Sequence, residues 1–299
     1  MVVPVRDGAA GIANCVRCVL SQTRPADEFI VVDNGSSDGT ARVAAEAGAS
    51  VLSEPTKGVY RARNVGWRST SADVVAFTDA DCEPEPDWLE RLLEPFAEPA
   101  VAGAGGEALL PEIRTPAQRW AALRGFMSQE SHFRHGFMPF LATANAAYRR
   151  AALEAVDGFD ERFLSGGDTD IAWRVQAFAD GRLAFQPAAR VIHRFAEHTS
   201  ELTSRARRYA GGHAILRAKW SQWPEFVAGQ GTFLQRTRAV WMLPGRLPYR
   251  LVRGRDLTVS LIDAAVRANY EIGLVEGKRR ARHLDVSPLP GPRAPAPHR

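Results

Sequence analysis

The stretch Asp73-Val-Val-Ala-Phe-Thr-Asp79-Ala-Asp81-Cys82 constrains this chain more than any other. A run of apolar and β-forming residues without Gly or Pro predicts a buried strand of a parallel sheet. The strand leads straight into two carboxylates one residue apart, and Glu83-Pro84-Glu85-Pro86 stops it. Ligands of open α/β sheets bind outside the carboxyl ends of the strands. Two acids placed there repel each other unless a cation lies between them. Hard oxygen donors favour Mg²⁺ or Mn²⁺, usually shared with a phosphate. Taken alone, the same pair equally describes a solvated acidic turn.

The flanking sequence repeats the strand–turn–helix theme. Met1–Val5 predicts a first strand, and Ile12, Cys15, Val16, Val19 and Leu20 recur at helical spacing behind it. Phe29–Asp33 predicts a second strand that again ends in an acid. Asn34-Gly-Ser-Ser-Asp38-Gly-Thr40 then supplies a turn and a helix start. Val51-Leu52 is short strand material, and Lys57-Gly58 opens a helix across Arg61, Arg63, Asn64 and Trp67. This alternation predicts a right-handed, mostly parallel sheet flanked by helices. No Gly-X-Gly-X-X-Gly follows the first strand, which argues against a dinucleotide oxidoreductase. Asp33 stands where a doubly wound sheet meets a ribose or base, although a turn-capping role suits it as well.

Further along, Val101–Leu110 carries Gly103, Gly105 and Gly106 and predicts a strand with a bulge or close backbone approach. Residues 116–130 predict a helix, residues 132–140 an aromatic and basic loop, and Ala142–Arg150 a strand turning into a helix that ends at Gly158. Gly166-Gly167-Asp168-Thr169-Asp170 is a second acidic cluster, where Asp168 can cap the helix that follows or serve as a base. Leu183–Phe185 and Val191–His193 predict two short strands joined at Gln186-Pro187. His193, at the end of the second, can be a structural residue or can complete a metal site with Asp81; an imidazole suits Mn²⁺ better than Mg²⁺.

Charge divides the chain. Residues 1–200 hold 20 basic and 27 acidic side chains, whereas residues 201–299 hold 18 and 7. The basic part interleaves arginines with Trp220, Trp223, Trp241 and Tyr249 and predicts a helical extension over 216–285, with a Pro-rich tail at 286–299. An anionic membrane surface or a homodimer contact accounts for it; no nucleic-acid module is present. Cys15, Cys18 and Cys82 do not form a disulfide framework, which suits a reducing compartment. No apolar window long enough to span a bilayer and no signal-peptide pattern stands out, so the expected location is cytoplasmic, peripheral at the inner membrane face.

Taken in order, Val-Val-Pro-Val-Arg-Asp, Gln22-Thr23, Val-Val-Asp33-Asn-Gly-Ser-Ser-Asp38-Gly-Thr, Lys57-Gly58, Ala62-Arg63-Asn64-Val-Gly66, Thr78-Asp79-Ala-Asp81 and Gly167-Asp168-Thr-Asp170 make residues 1–215 resemble the family-two glycosyltransferases of GT-A fold. The resemblance implies an inverting enzyme that takes a sugar from a nucleotide-diphosphate donor, a UDP-sugar above others, with Mn²⁺ or Mg²⁺. It implies a nucleotide pocket of Pro4, Arg6, Asp33, Lys57 and Asn64, beside Val5, with Asp79 meeting ribose and metal, Asp81 ligating the metal and Asp168 as base; His193 is the further metal ligand that the strand end itself offers. Donor sugar and acceptor hydroxyl would lie against Asn145, Gly167, Asp170 and Trp173, and the basic C-terminal part suggests a glycan or lipid-linked carrier for that hydroxyl. Two departures stand out. Gly167-Asp168 replaces the Glu-Asp of many relatives, leaving Asp170 as a fallback base. Arg205-Ala-Arg-Arg-Tyr stands where processive synthases carry Gln-X-X-Arg-Trp, which favours single-sugar transfer. A sugar-1-phosphate nucleotidyltransferase and a non-catalytic sugar-nucleotide binder are the alternatives.

Overall fold

The computed structural model describes residues 1–299 except 127, 135–136, 195–197, 229–256 and 292–299. Its residues form two compact units, Met1–Ala196 and Glu197–Arg299. The division falls earlier in the chain than position 215, across which a single helix runs without interruption.

The first unit begins with β1 (Val2–Val5), α1 (Ile12–Leu20), β2 (Ile30–Asp33), α2 (Thr40–Glu46), β3 (Ser50–Ser53), α3 (Val59–Arg68) and β4 (Val74–Thr78). β5 (Cys82–Pro84), α4 (Trp88–Leu93), β6 (Val101–Leu109), α5 (Pro116–Leu123) and α6 (Glu130–Phe133) follow. It closes with β7 (Asn145–Arg149), α7 (Arg150–Ala155), α8 (Gly167–Phe178) and β8 (Arg182–His193). The eight strands form one mixed sheet in the order β3-β2-β1-β4-β7-β6-β8-β5. β1 is parallel to β2 and β4, β2 to β3, and β6 to β8, whereas β7 runs antiparallel between β4 and β6. The carboxyl ends of β1, β2, β4, β6 and β8 therefore share one edge. Side chains of Val3, Val5, Val31, Ala76, Ala104 and Ala147 pack from the sheet against Ile12, Cys15 and Val16 of α1 and Trp88 and Leu92 of α4. Burial of such a face is the main favourable term holding the layers together.

Two elements differ from expectation. The predicted pair of strands after residue 182 is one strand, β8, whose pairing with β6 jumps from Gly106↔Gln186 to Glu107↔Arg190. The bulge is absorbed at Gly106, where a Cβ would lie 1.8 Å from the Ala189 carbonyl oxygen, so only glycine admits this approach. The helix expected over 116–130 stops at Leu123, because the chain turns at Gly125 (φ +57°). The remainder folds back so that Gln129, fully buried, donates to the Gly106 and Asn145 carbonyls.

In the second unit α9 (Thr199–Lys219), α10 (Pro224–Ala228) and α11 (Leu257–His283) are helical. α9 and α11 cross closely: Cβ atoms at Gly273 and Gly277 would meet the Arg207 carbonyl oxygen at 2.1 Å and Gly211 Cα at 2.6 Å. Among the described residues no helix is long and apolar enough to cross a membrane.

Candidate active site

The site forms where the parallel strands end. Val5 pairs in register with Asp33, and Asp79 follows β4 directly. The loops leaving β1 and β2 are tied together. Asp7, at φ +48°, accepts from Ser37 N (2.8 Å) and donates its own N–H to Ser36 Oγ (2.9 Å). Gly8 N donates to Thr40 Oγ1 and Ala9 N to Asp38 Oδ2. Asn34 fixes the next loop: its Nδ2 donates to the Glu54 and Thr56 carbonyls, and its Oδ1 accepts from Gly58 N at 2.7 Å. Lys57 is thereby held, exposed, beside the end of β2, while Pro4 and Val5 are buried in β1 and Arg6 is exposed in front of it. Asp33 keeps one buried carboxylate oxygen, Oδ1, without a hydrogen-bond partner among the described residues. An unsatisfied buried acceptor is costly and is relieved by a ligand donor.

A chain of polar contacts links α3, β4 and α8. Arg63, 4% exposed, places a guanidinium nitrogen 2.6 Å from Asp79 Oδ1. It also lies over the Tyr60 ring, whose hydroxyl donates to Asp168 Oδ1 at 3.4 Å. Asp168 stands in the first turn of α8, behind Gly166 in the left-handed region (φ +83°). It is half-buried and does not cap the helix; its Oδ1 accepts from Thr169 N at 3.0 Å. Burial raises its carboxyl above the usual range, Arg63 pulls it back down, and Asp79 adds to the rise. Gly167 makes the approach of Tyr60 possible, since a Cβ there would sit 2.8 Å from the phenol ring.

Asp81 and His193 meet because β5 pairs antiparallel with β8, with Cys82 opposite His193. His193 Nε2 lies 3.2 Å from Asp81 Oδ2, and with Cys82 they present ligand atoms within 4.8 Å of one another. The donor set fits a divalent ion of the Mn²⁺ type through carboxylate oxygen and imidazole nitrogen. Burial holds the Cys82 thiol well above its ordinary titration range, so it is protonated while no ion is bound.

Four expected contacts are committed elsewhere. Asn64 spends its amide on Phe159 O, Glu161 Oε1, Phe159 N and Trp67 Nε1, which leaves nothing for a nucleotide. Asn145, fully buried, donates to the Glu107 and Ala189 carbonyls and accepts from Trp88 Nε1, clasping β6, β7 and β8. Asp170, also fully buried, pairs with Arg174 at 2.7 Å, and that guanidinium goes on to the Val156 and Gly158 carbonyls. Trp173 is a core residue whose indole donates to Met138 O and meets Phe137 edge-on. Buried amides and ion pairs of this kind hold the frame. Arg63 and Tyr60 went unassigned in the sequence. Their signal is the spacing Tyr60, Arg63, Asn64, Trp67, one face of a helix that buries a cation and so demands a carboxylate.

Solved structures share this architecture. The mannosyltransferase PcManGT of Pyrobaculum calidifontis, solved with GDP-Man and Mn²⁺, superposes with a TM-score of 0.62 at 18% identity, covering 92% of this chain and 85% of that one. Glucosyl-3-phosphoglycerate synthase of Mycobacterium tuberculosis, with Mn²⁺, UDP-glucose and phosphoglyceric acid, gives 0.51 at 21% identity, covering 72% and 77%. The fold is that of the GT-A glycosyltransferases. Residues 1–157 match the model of glycosyl transferase family 2, and the chain belongs to that family. The pre-mycofactocin glycosyltransferase of M. tuberculosis is 32% identical over 228 residues, 73% of this chain and 47% of that protein. Glycosyltransferase AglE of Haloferax volcanii is 32% identical over 187 residues, 59% and 60% of the two chains. The chain thus spans about half the length of the mycobacterial relative. The family match ends before Asp168 and His193.

Proposed function

We propose that this chain transfers a single sugar from a nucleotide-diphosphate donor to an acceptor hydroxyl with inversion at the anomeric carbon. The reading rests on one observation: Asp168 is linked through the Tyr60 hydroxyl and the Arg63 guanidinium to Asp79, at the edge where Asp33 and the Asp81–His193 pair also stand. The unsatisfied Asp33 oxygen accepts from the nucleoside, with Pro4 and Val5 forming the wall. Arg6 and Lys57 supply positive charge toward the diphosphate, and Arg63 holds Asp79 in place for the ribose. A divalent ion held by Asp81 and His193 would offset charge on the leaving diphosphate. Asp168 takes the proton of the acceptor hydroxyl as its oxygen bonds to the anomeric carbon from the face opposite the departing diphosphate. Its raised carboxyl makes it a stronger base than an ordinary aspartate.

A UDP-sugar is the favoured donor, as in the complexes of glucosyl-3-phosphoglycerate synthase. The acceptor hydroxyl belongs to a glycan or lipid-linked carrier. The test supplies UDP- and GDP-sugars with Mn²⁺ and follows nucleoside diphosphate release, with and without EDTA. Release of pyrophosphate, or equal turnover by Asp168→Asn, would overturn the reading.

A further inference from the structure

The second unit carries a surface that sugar transfer leaves unused. The Gly273 and Gly277 crossing brings the end of α9 against the last turns of α11. Between them lies a pocket of about 350 Å³ lined by Arg217, Lys278 and Arg282, with Asp285 as the one acid among the described residues and Ala214, Ala218, Ala281 and Val286 forming the apolar part. Like-charged side chains gathered on a cavity repel one another and favour an anion between them.

A second observation on the same helix is independent of that pocket. α11 buries Val259, Ile262, Gly273, Leu274, Gly277 and Ala281, and Gly273, Leu274 and Gly277 among them meet α9. On the opposite side Leu261, Ile272 and Val275 are 52%, 47% and 53% exposed. At 100° per residue these three fall within one narrow stripe, and Arg279 continues that line, with Arg282 beside it. The outer face is therefore apolar for about four turns and then cationic. Such a stripe calls for a partner, and the cations that continue it would repel those of a second copy of the chain but suit an anionic surface. A helix lying in a bilayer interface sinks the apolar length and sets its cations at the headgroups.

We infer that α11 docks on an anionic membrane. Leu261, Ile272 and Val275 enter the acyl boundary, and Lys278 and Arg282 at the pocket take a lipid phosphate. The inference does not depend on the transferase reading, since every residue in it belongs to the second unit.

The full chain is mixed with vesicles of phosphatidylcholine plus phosphatidylglycerol, or of phosphatidylcholine alone, and co-sedimented. Expected are binding to the anionic vesicles only, release at about 1 M salt, and roughly 30-fold weaker partition for Lys278→Gln/Arg282→Gln. Ile272→Ser/Val275→Ser should also bind less tightly, and circular dichroism of each variant confirms the fold. Equal partition by both double variants, equal binding to neutral vesicles, or no binding by the unaltered chain would overturn the inference. So would displacement by millimolar inorganic phosphate, which marks a soluble anion as the ligand, or binding of a single-stranded RNA in preference to vesicles. Nucleoside diphosphate release measured in the same samples keeps this result separate from that of the transferase test.

Discussion

Arg63 and Asp79 form a 2.6 Å ion pair that ties the buried face of α3 to the end of β4. The same guanidinium lowers the Asp168 carboxyl, so one cation serves acids on two elements.

Arg63→Ala should cost about 1–3 kcal/mol, less than breaking a fully buried pair because Asp79 is 30% exposed. Denaturant unfolding reads this loss. The variant should also move the acid limb of the pH–rate profile upward, since the charge that lowers Asp168 is gone. Arg63→Lys should restore much of the limb and less of the stability, because Lys lacks the planar fork.

Asp168→Asn should lower turnover by about 10²–10⁴-fold with little change in donor affinity by calorimetry. A pH effect on stability accompanies it. The folded carboxyl titrates above its unfolded counterpart, so the folded chain holds the extra proton in that interval and loses stability as pH rises through it. The ionised carboxylate is a net cost at neutral pH. The Asn variant should therefore melt higher than the unaltered chain at pH 7, and the gap should close in acid.

Asp170→Asn separates the two acids of α8. Removing the partner of buried Arg174 should cost about 3–5 kcal/mol, yet the folded fraction should keep its kcat. A kcat loss matching that of Asp168→Asn would return Asp170 to the role of base.

These two aspartates show where sequence reading ends. The edge that carries Asp33, Asp79 and Asp81 was legible because strand period, turn residues and chain order all bear on it. The fate of Asp170, Asn145 and Asn64 was not. A polar residue in an apolar context looks alike whether it faces a ligand or clasps a carbonyl, and only the fold says which atoms reach it. Trp173 misled for a related reason, since an aromatic beside an acidic cluster suits a sugar face and a core equally. The spacing along α3 signals that Arg63 is buried, but its partner Asp79 lies in a different segment, and the choice of partner leaves no local trace.

Asp81→Ala and His193→Ala should each weaken Mn²⁺ binding by more than the ~10–100-fold typical of losing an outer-shell partner. Calorimetric titration of Mn²⁺ into the donor-free protein measures this without any turnover. Unchanged affinity in His193→Ala would remove the imidazole from the ligand set.

Gly106→Ala should destabilise by about 3 kcal/mol, at the upper end for overpacking, because its Cβ would coincide with the Ala189 carbonyl. Thermal melting of the purified variant measures the loss.

The short ladder that sets Cys82 opposite His193 has a consequence for assembly. Asp81 and His193 come from distant points on the chain and meet only when β8 is threaded in its one register. A slip by a single residue would turn the imidazole to the other side of the sheet. The pairing of these two side chains thus depends on the outermost ladder of the sheet, not on any local stretch of chain.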